Sequence, residues 1–146
     1  MRTTVGSSER GFAAAEWAVA LGLMLLPMVM IVGSIAPWLA RQTMGREISQ
    51  EAARSFVLAD DWERGAQAAA QVAEAIVANY GLGDDDWDLV SIRTEPDGAG
   101  FGRGSDIVVE IRVRVPALTV PGVGSVAEVW WHTSHTEHVD DFRSFP

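Results

Sequence analysis

From Trp17 to Ala40 the chain runs 24 residues without a charged side chain. At ~1.5 Å of rise per residue, a helix of that length reaches roughly 36 Å, enough to cross a bilayer core of about 30 Å with some tilt. Glu16 sits at the N-terminal edge of this stretch and is the only charge between Gly11 and Arg41. An acidic side chain costs ~2.5–3.5 kcal/mol at mid-bilayer and less near the interface. An acid in that position points to a function and needs a partner.

The residues before it suggest the partner. They read Arg10-Gly11-Phe12-Ala13-Ala14-Ala15-Glu16-Trp17. A cut between Gly11 and Phe12 would leave a new α-amino group about one helical turn from Glu16. That amine, or the same amine on a neighbouring copy, would neutralise the carboxylate. A short basic leader, a Gly at the cut, four residues, then Glu and an aromatic resemble the prepilin class of signal sequences. The Glu16-Trp17 pair resembles the Glu-Tyr or Glu-Phe pair of the Tad pilus system. The whole chain resembles the TadE-like pilin-related proteins of the type IV pilin-like family.

That resemblance implies cleavage by a prepilin peptidase, a membrane aspartyl enzyme that reads Gly11, Phe12 and Glu16. It implies that Glu16 and Trp17 serve assembly, and that the partners are other pilin or pseudopilin subunits and a pilus assembly platform. It places the chain in the cytoplasmic (inner) membrane, N-terminus inside, with the C-terminal part extracytoplasmic or in a cell-surface pilus. No catalytic residue, cofactor or metal is expected, and the chain is not expected to be an enzyme. Pro27 lies eleven residues after Glu16, later than TadE-like sequences often place a proline.

A basic start and an apolar run also describe a plain signal anchor or a cleaved secretory signal. The run exceeds the usual secretory core of about 7–15 residues, and Ala36-Pro37-Trp38 is a poor substitute for an Ala-x-Ala site. A plain anchor also gives no reason for Glu16.

The 146 residues leave room for one soluble domain beside the span. From Arg41 onward, nine Arg face eighteen Asp and Glu, so the whole net charge of −9 lies there. An acidic surface argues against nucleic acid and against tight binding to anionic headgroups. The chain has no Cys, which excludes disulfides, thiol chemistry and Cys-ligated zinc. Residues 1–11 form a short, weakly positive leader. Arg41 and Arg46 flank the other end, so short-flank charge alone leaves the orientation open. The short leader and the acidic remainder favour N-in, C-out.

Pro27 and Pro37 interrupt the apolar stretch and invite kinks that neighbouring helices can satisfy. Gly22 and Gly33 offer small faces but form no Gly-x-x-x-Gly pair. Beyond Arg41, Met44, Ile48, Ala52 and Phe56 recur at four-residue steps, so the helix is expected to continue as one rod. Asp60-Asp61-Trp62-Glu63 reads as a break and restart, with Asp60 capping and Glu63 completing a capping box. A second helix follows to Tyr80 with an alanine-rich apolar stripe, and Gly81 stops it.

The period then changes to two. Strands are expected over residues 87–94, 106–115 and 128–136. A glycine-rich turn separates the first two. Pro116 is expected to end the second, and residues 118–126 to form an apolar loop. Residues 140–146 read as a loose tail, and their acidic-Phe-Arg-Ser ending also resembles TadE-like proteins. The expected fold class is α+β. It comprises a leader (1–11), a membrane helix (12–40), and an extracytoplasmic domain (41–146) with a second helix and a small three-stranded antiparallel sheet. This is the layout of pilin-like subunits, in which a helix face covers a sheet that would be marginal alone.

Other constellations are weaker. His132, His135 and His138 invite a metal, but on a strand the middle one points away from the other two. Asp84, Asp86, Asp88 and Glu95 fit positions 1, 3, 5 and 12 of a calcium loop, but Leu89 stands where that loop needs Gly. The glycine-rich residues 98–104 precede a strand rather than a helix N-terminus, so they hold no phosphate site. Trp62, Trp130 and Trp131 fit an interface, or the core in the case of Trp131. The alternative function is a single-pass membrane protein whose acidic extracytoplasmic domain binds a ligand or an ion.

Overall fold

A computed structural model describes residues 8–98, 100–120 and 122–142. Most of the expected leader (residues 1–7) and the end of the tail (residues 143–146) lie outside the described residues. The elements are α1 (Ser8–Val57), α2 (Trp62–Asn79), a 3-10 turn (Asp84–Asp86), β1 (Trp87–Glu95), β2 (Asp106–Val120) and β3 (Gly124–His138). The strands form one antiparallel sheet in the order β1-β2-β3. The architecture is α+β, and α1 is one 50-residue rod that carries Pro27 and Pro37 inside it.

The core forms where the two periodicities meet. Met44, Ile48, Ala52 and Phe56 lie on one face of α1, because four residues is close to one turn. Ile107, Val109, Ile111, Val113 and Val115 share one face of β2, because a strand alternates every residue. All nine are buried in one cluster. Helix and strand run antiparallel. The Phe56 ring meets Phe101, just before β2, at 5.4 Å. A Cβ added at Gly45 would come within 3.2 Å of Val113 Cγ2 and 3.3 Å of Thr133 Cγ2, so the rod and the sheet approach as closely as a glycine allows.

α2 packs on α1 through Gly65, Ala69, Ala73 and Val77, the small residues of its stripe. Its cap is Asp61, not Asp60. The Asp61 carboxylate accepts from the Arg64 backbone N–H at 2.8 Å, while Asp60 pairs with the Arg64 guanidinium at 3.3 Å. The helix starts at Trp62, whose ring packs edge-on against Phe56 at 4.9 Å. The third helical position is then Arg64, so the capping box expected through Glu63 does not form. Tyr80 closes the helix and donates its hydroxyl to Glu47 of α1 at 2.6 Å. Gly81 follows at φ +69°, the left-handed stop its type suggested.

The sheet departs from expectation after Val115. β2 continues through Pro116 to Val120, and β3 begins at Gly124. Thr119 pairs with Ser125 and Val120 with Gly124, so most of the expected apolar loop is paired strand. β1 explains why proline fits there. Its last partner on β2 is Val113, so beyond that point β2 has one neighbour and an open edge. Proline lacks an N–H and is tolerated at such an edge, with the irregularity between Pro116 and Leu118 that it brings.

The calcium pattern is pulled apart by the same sheet. Asp84 and Asp86 sit in the 3-10 turn, whereas Glu95 ends β1, ~26 Å from its start at ~3.3 Å per residue. Asp88 pairs with Arg112 at 2.7 Å.

Candidate functional site

The feature that needs explaining is the bare half of α1. Phe12, Trp17, Leu23 and Met24 are each 69–74% exposed. No residue of the most apolar window is buried, and its mean hydropathy is 2.4. Apolar side chains surround the rod here, so it lacks the polar face of a helix lying on a soluble core. An apolar surface of this extent calls for an apolar environment. Among the described residues, α1 is the one helix long and apolar enough to cross a membrane.

The Gly11–Phe12 bond lies in the first turns of this rod. Phe12 and Glu16 are four residues apart and so share a face. Glu16 and Trp17 are exposed, and among the described side chains Glu16 makes no hydrogen bond or ion pair. The four residues singled out from the sequence, Gly11, Phe12, Glu16 and Trp17, therefore lie together at the free end of the rod, far from the folded core.

A second contact was not expected from the sequence. The β2–β3 hairpin reaches back along α1 into the uncharged stretch. The Ser34 hydroxyl donates to the Met30 carbonyl at 2.8 Å and accepts from the Thr119 backbone N–H at 2.9 Å. Trp38 meets Trp131 edge-on at 6.2 Å. Ile31, Ile35 and Trp38 face Pro116, Ala117 and Leu118 across a shallow hollow. The signal in the sequence was the run of residues 115–127, which has no charge between Arg114 and Glu128. Those two charges form an ion pair at 3.6 Å. Trp130 lies beside them, with the Arg112 and Arg114 guanidinium groups 4.7 and 5.0 Å from its ring centre.

Each histidine lies against an acid on its own part of the sheet. His132 lies 3.3 Å from Glu110, His135 3.2 Å from Glu137, and His138 2.7 Å from Asp106. Among the described residues no three His, Asp or Glu side chains gather as a metal site would require. The His138 pKa is raised above its ordinary 6.5, chiefly by the hydrogen bond to Asp106, with the charges of Asp106 and Asp141 adding to it and burial opposing it. A folded-state pKa above the unfolded one gives a contribution that is full below the unfolded value and fades as pH rises through the folded value. The imidazole of His138 should therefore titrate above 6.5, the ordinary value. The thermal midpoint of the sheet should fall across that window, and less so in His138→Gln. A proton NMR titration at or below the peptide value would contradict this.

Comparisons of the chain with protein-family models, with curated proteins and with solved structures gave no match.

Proposed function

We propose that this chain is a TadE-like, pilin-related structural subunit of a Tad-type pilus or related secretion assembly. In this reading it is anchored in the cytoplasmic membrane by α1, with the sheet domain outside the cytoplasm. One observation carries the reading: the bare apolar stretch of α1 holds a single carboxylate four residues after a Gly–Phe bond, and the other half of the same helix forms the core of an α+β domain. The bare surface supports a bilayer, or neighbouring helices within one, as its environment. The carboxylate supports a specific partner, since nothing in a plain anchor requires it. The acidic surface supports the second reading, an anchored domain that binds a cationic ligand, but among the described residues no three His, Asp or Glu side chains gather as a metal ion would require.

Processing tests the proposal. A peptidase must bring its acids against the scissile backbone, so the residue before the cut has to be small. Glycine also weakens a helix, by ~1 kcal/mol relative to alanine, which eases local unwinding at the bond. Co-expression with a prepilin peptidase should give a mature chain that begins at Phe12, seen by mass in the membrane fraction. Gly11→Trp should remain uncut. An intact Met1 in the wild type, or equal cleavage of both, would favour the plain anchor.

A further inference from the structure

We propose, resting on the membrane reading above, that the β2–β3 hairpin is a second membrane element: residues 115–120 and 122–127 lie in the outer half of the bilayer that α1 crosses, with Val120, Val123 and Val126 among the acyl chains.

The contacts between rod and sheet act as a ruler. Gly45 faces Val113, and Ser34 holds Thr119. Those eleven helical residues span ~16 Å, and the six strand residues ~20 Å before the bulges shorten them, so hairpin and rod run side by side. Ser34 lies seven residues before Arg41, the first charge after the span, or ~10 Å along the axis. The turn after Val120 reaches roughly 5–10 Å further at ~3.3 Å per residue. The tip therefore lies about 15–20 Å below the level of Arg41, close to the half-thickness of a bilayer core about 30 Å thick. A span that uses residues 17–40 takes the hairpin in with it.

The chemistry follows this level. Below it neither the rod nor the hairpin carries a charge until Glu16. At it stand Arg41, the Arg114–Glu128 pair, Trp38, Trp130 and Trp131, the residue types that gather where a membrane meets water. Val123 is 74% exposed and Val126 51%, and among the described residues no element covers them. At the β2 edge left open beyond Val113, two positions leave no bare backbone donor for lipid to strand. Pro116 has no N–H, and the Thr119 N–H, which lies toward the rod, is taken by Ser34. The tip is neutral, so its insertion is apolar and does not conflict with the acidic surface of the rest.

The chain has no cysteine, so single-cysteine labels report without background. Val123→Cys, Leu23→Cys on the bare rod and Gln67→Cys on exposed α2 are labelled with an environment-sensitive fluorophore. The full chain is then reconstituted in phosphatidylcholine vesicles, with or without phosphatidylcholine bearing a nitroxide high on one acyl chain. The label at Val123 should lose as much fluorescence to the nitroxide as the label at Leu23, and resist aqueous iodide. The label at Gln67 should do the reverse. Iodide quenching at Val123 equal to that at Gln67, with Leu23 still quenched by lipid, would overturn the hairpin proposal and leave the membrane reading standing. Shielding of Val123 from both quenchers would overturn it in favour of a protein neighbour. Loss of lipid quenching at Leu23 as well would overturn both.

Discussion

Phe56→Ala will lower the stability of the folded half by about 3–5 kcal/mol, the range for removing a fully buried aromatic ring. Phe56 has no exposed surface. Its ring stands edge-on to Trp62 at 4.9 Å and to Phe101 at 5.4 Å, so it joins α1, α2 and the segment leading into β2. The hole cannot close easily. A Cβ at Gly65 would already lie 3.1 Å from the Phe56 ring and 3.1 Å from its carbonyl oxygen, so the α2 backbone is seated against that residue. Domain stabilities are about 5–15 kcal/mol, so the loss removes a large part of the total. Urea unfolding of the full chain in detergent, followed by tryptophan fluorescence, measures it, with Trp62 reporting from the site. A loss under about 1 kcal/mol would show that the three elements do not depend on this ring.

Glu16→Ala should insert in the membrane and be cleaved normally, yet fail to join an assembly. Insertion should be equal or better, because the substitution removes a carboxylate from the edge of the apolar stretch. In an assembled state, the Phe12 amine of the same or a neighbouring copy would pair with Glu16. Removing one member of such a pair leaves the other uncompensated, at ~3–5 kcal/mol where the pair is buried, enough to lower assembly by roughly two to four orders of magnitude. Crosslinking between subunits in the membrane, or recovery in sheared surface material, reads the effect. Normal recovery of Glu16→Ala would count against a pilin-like role for the carboxylate while leaving the membrane helix intact.

The long helix, the second helix and the core strands were legible because each buries one face, and burial imposes a period. Met44 to Phe56 at steps of four and Ile107 to Val115 at steps of two are the two halves of one core. The hairpin was not legible as strand for a related reason. Beyond Val113 the sheet loses β1, and irregularities at Pro116/Leu118 and Leu118/Thr119 shift the phase, so alternation stops marking the strand. Proline then looks like an end because it would be one in the middle of a sheet. The cap moved by one residue because Asp60 and Asp61 offer equivalent side chains; Asp61 takes the Arg64 N–H, Asp60 pairs with the Arg64 guanidinium, and Trp62 packs on Phe56. At the N-terminal end of the rod, Glu16 stood out by its charge beside an apolar stretch, whereas Gly11, Phe12 and Trp17 were singled out by their resemblance to a prepilin signal.

The unbroken rod also sets a bearing. In a helix of 3.6 residues per turn, positions 18 apart are about five full turns apart, so Glu16, Ser34 and Ala52 fall on one line parallel to the axis. Ser34 and Ala52 are buried against the rest of the chain. Glu16 thus points to the same side as they do, about 27 Å further along than Ser34. Because the helix continues through Pro27 between them, the domain works like a compass card fixed to its needle: turning the sheet turns the carboxylate with it. Copies that align their domains outside the bilayer would align their acids within it. One alanine inserted between Gly22 and Leu23 would swing Glu16 by about 100° and lengthen the rod by only about 1.5 Å, uncoupling the two alignments without changing a single contact in the core.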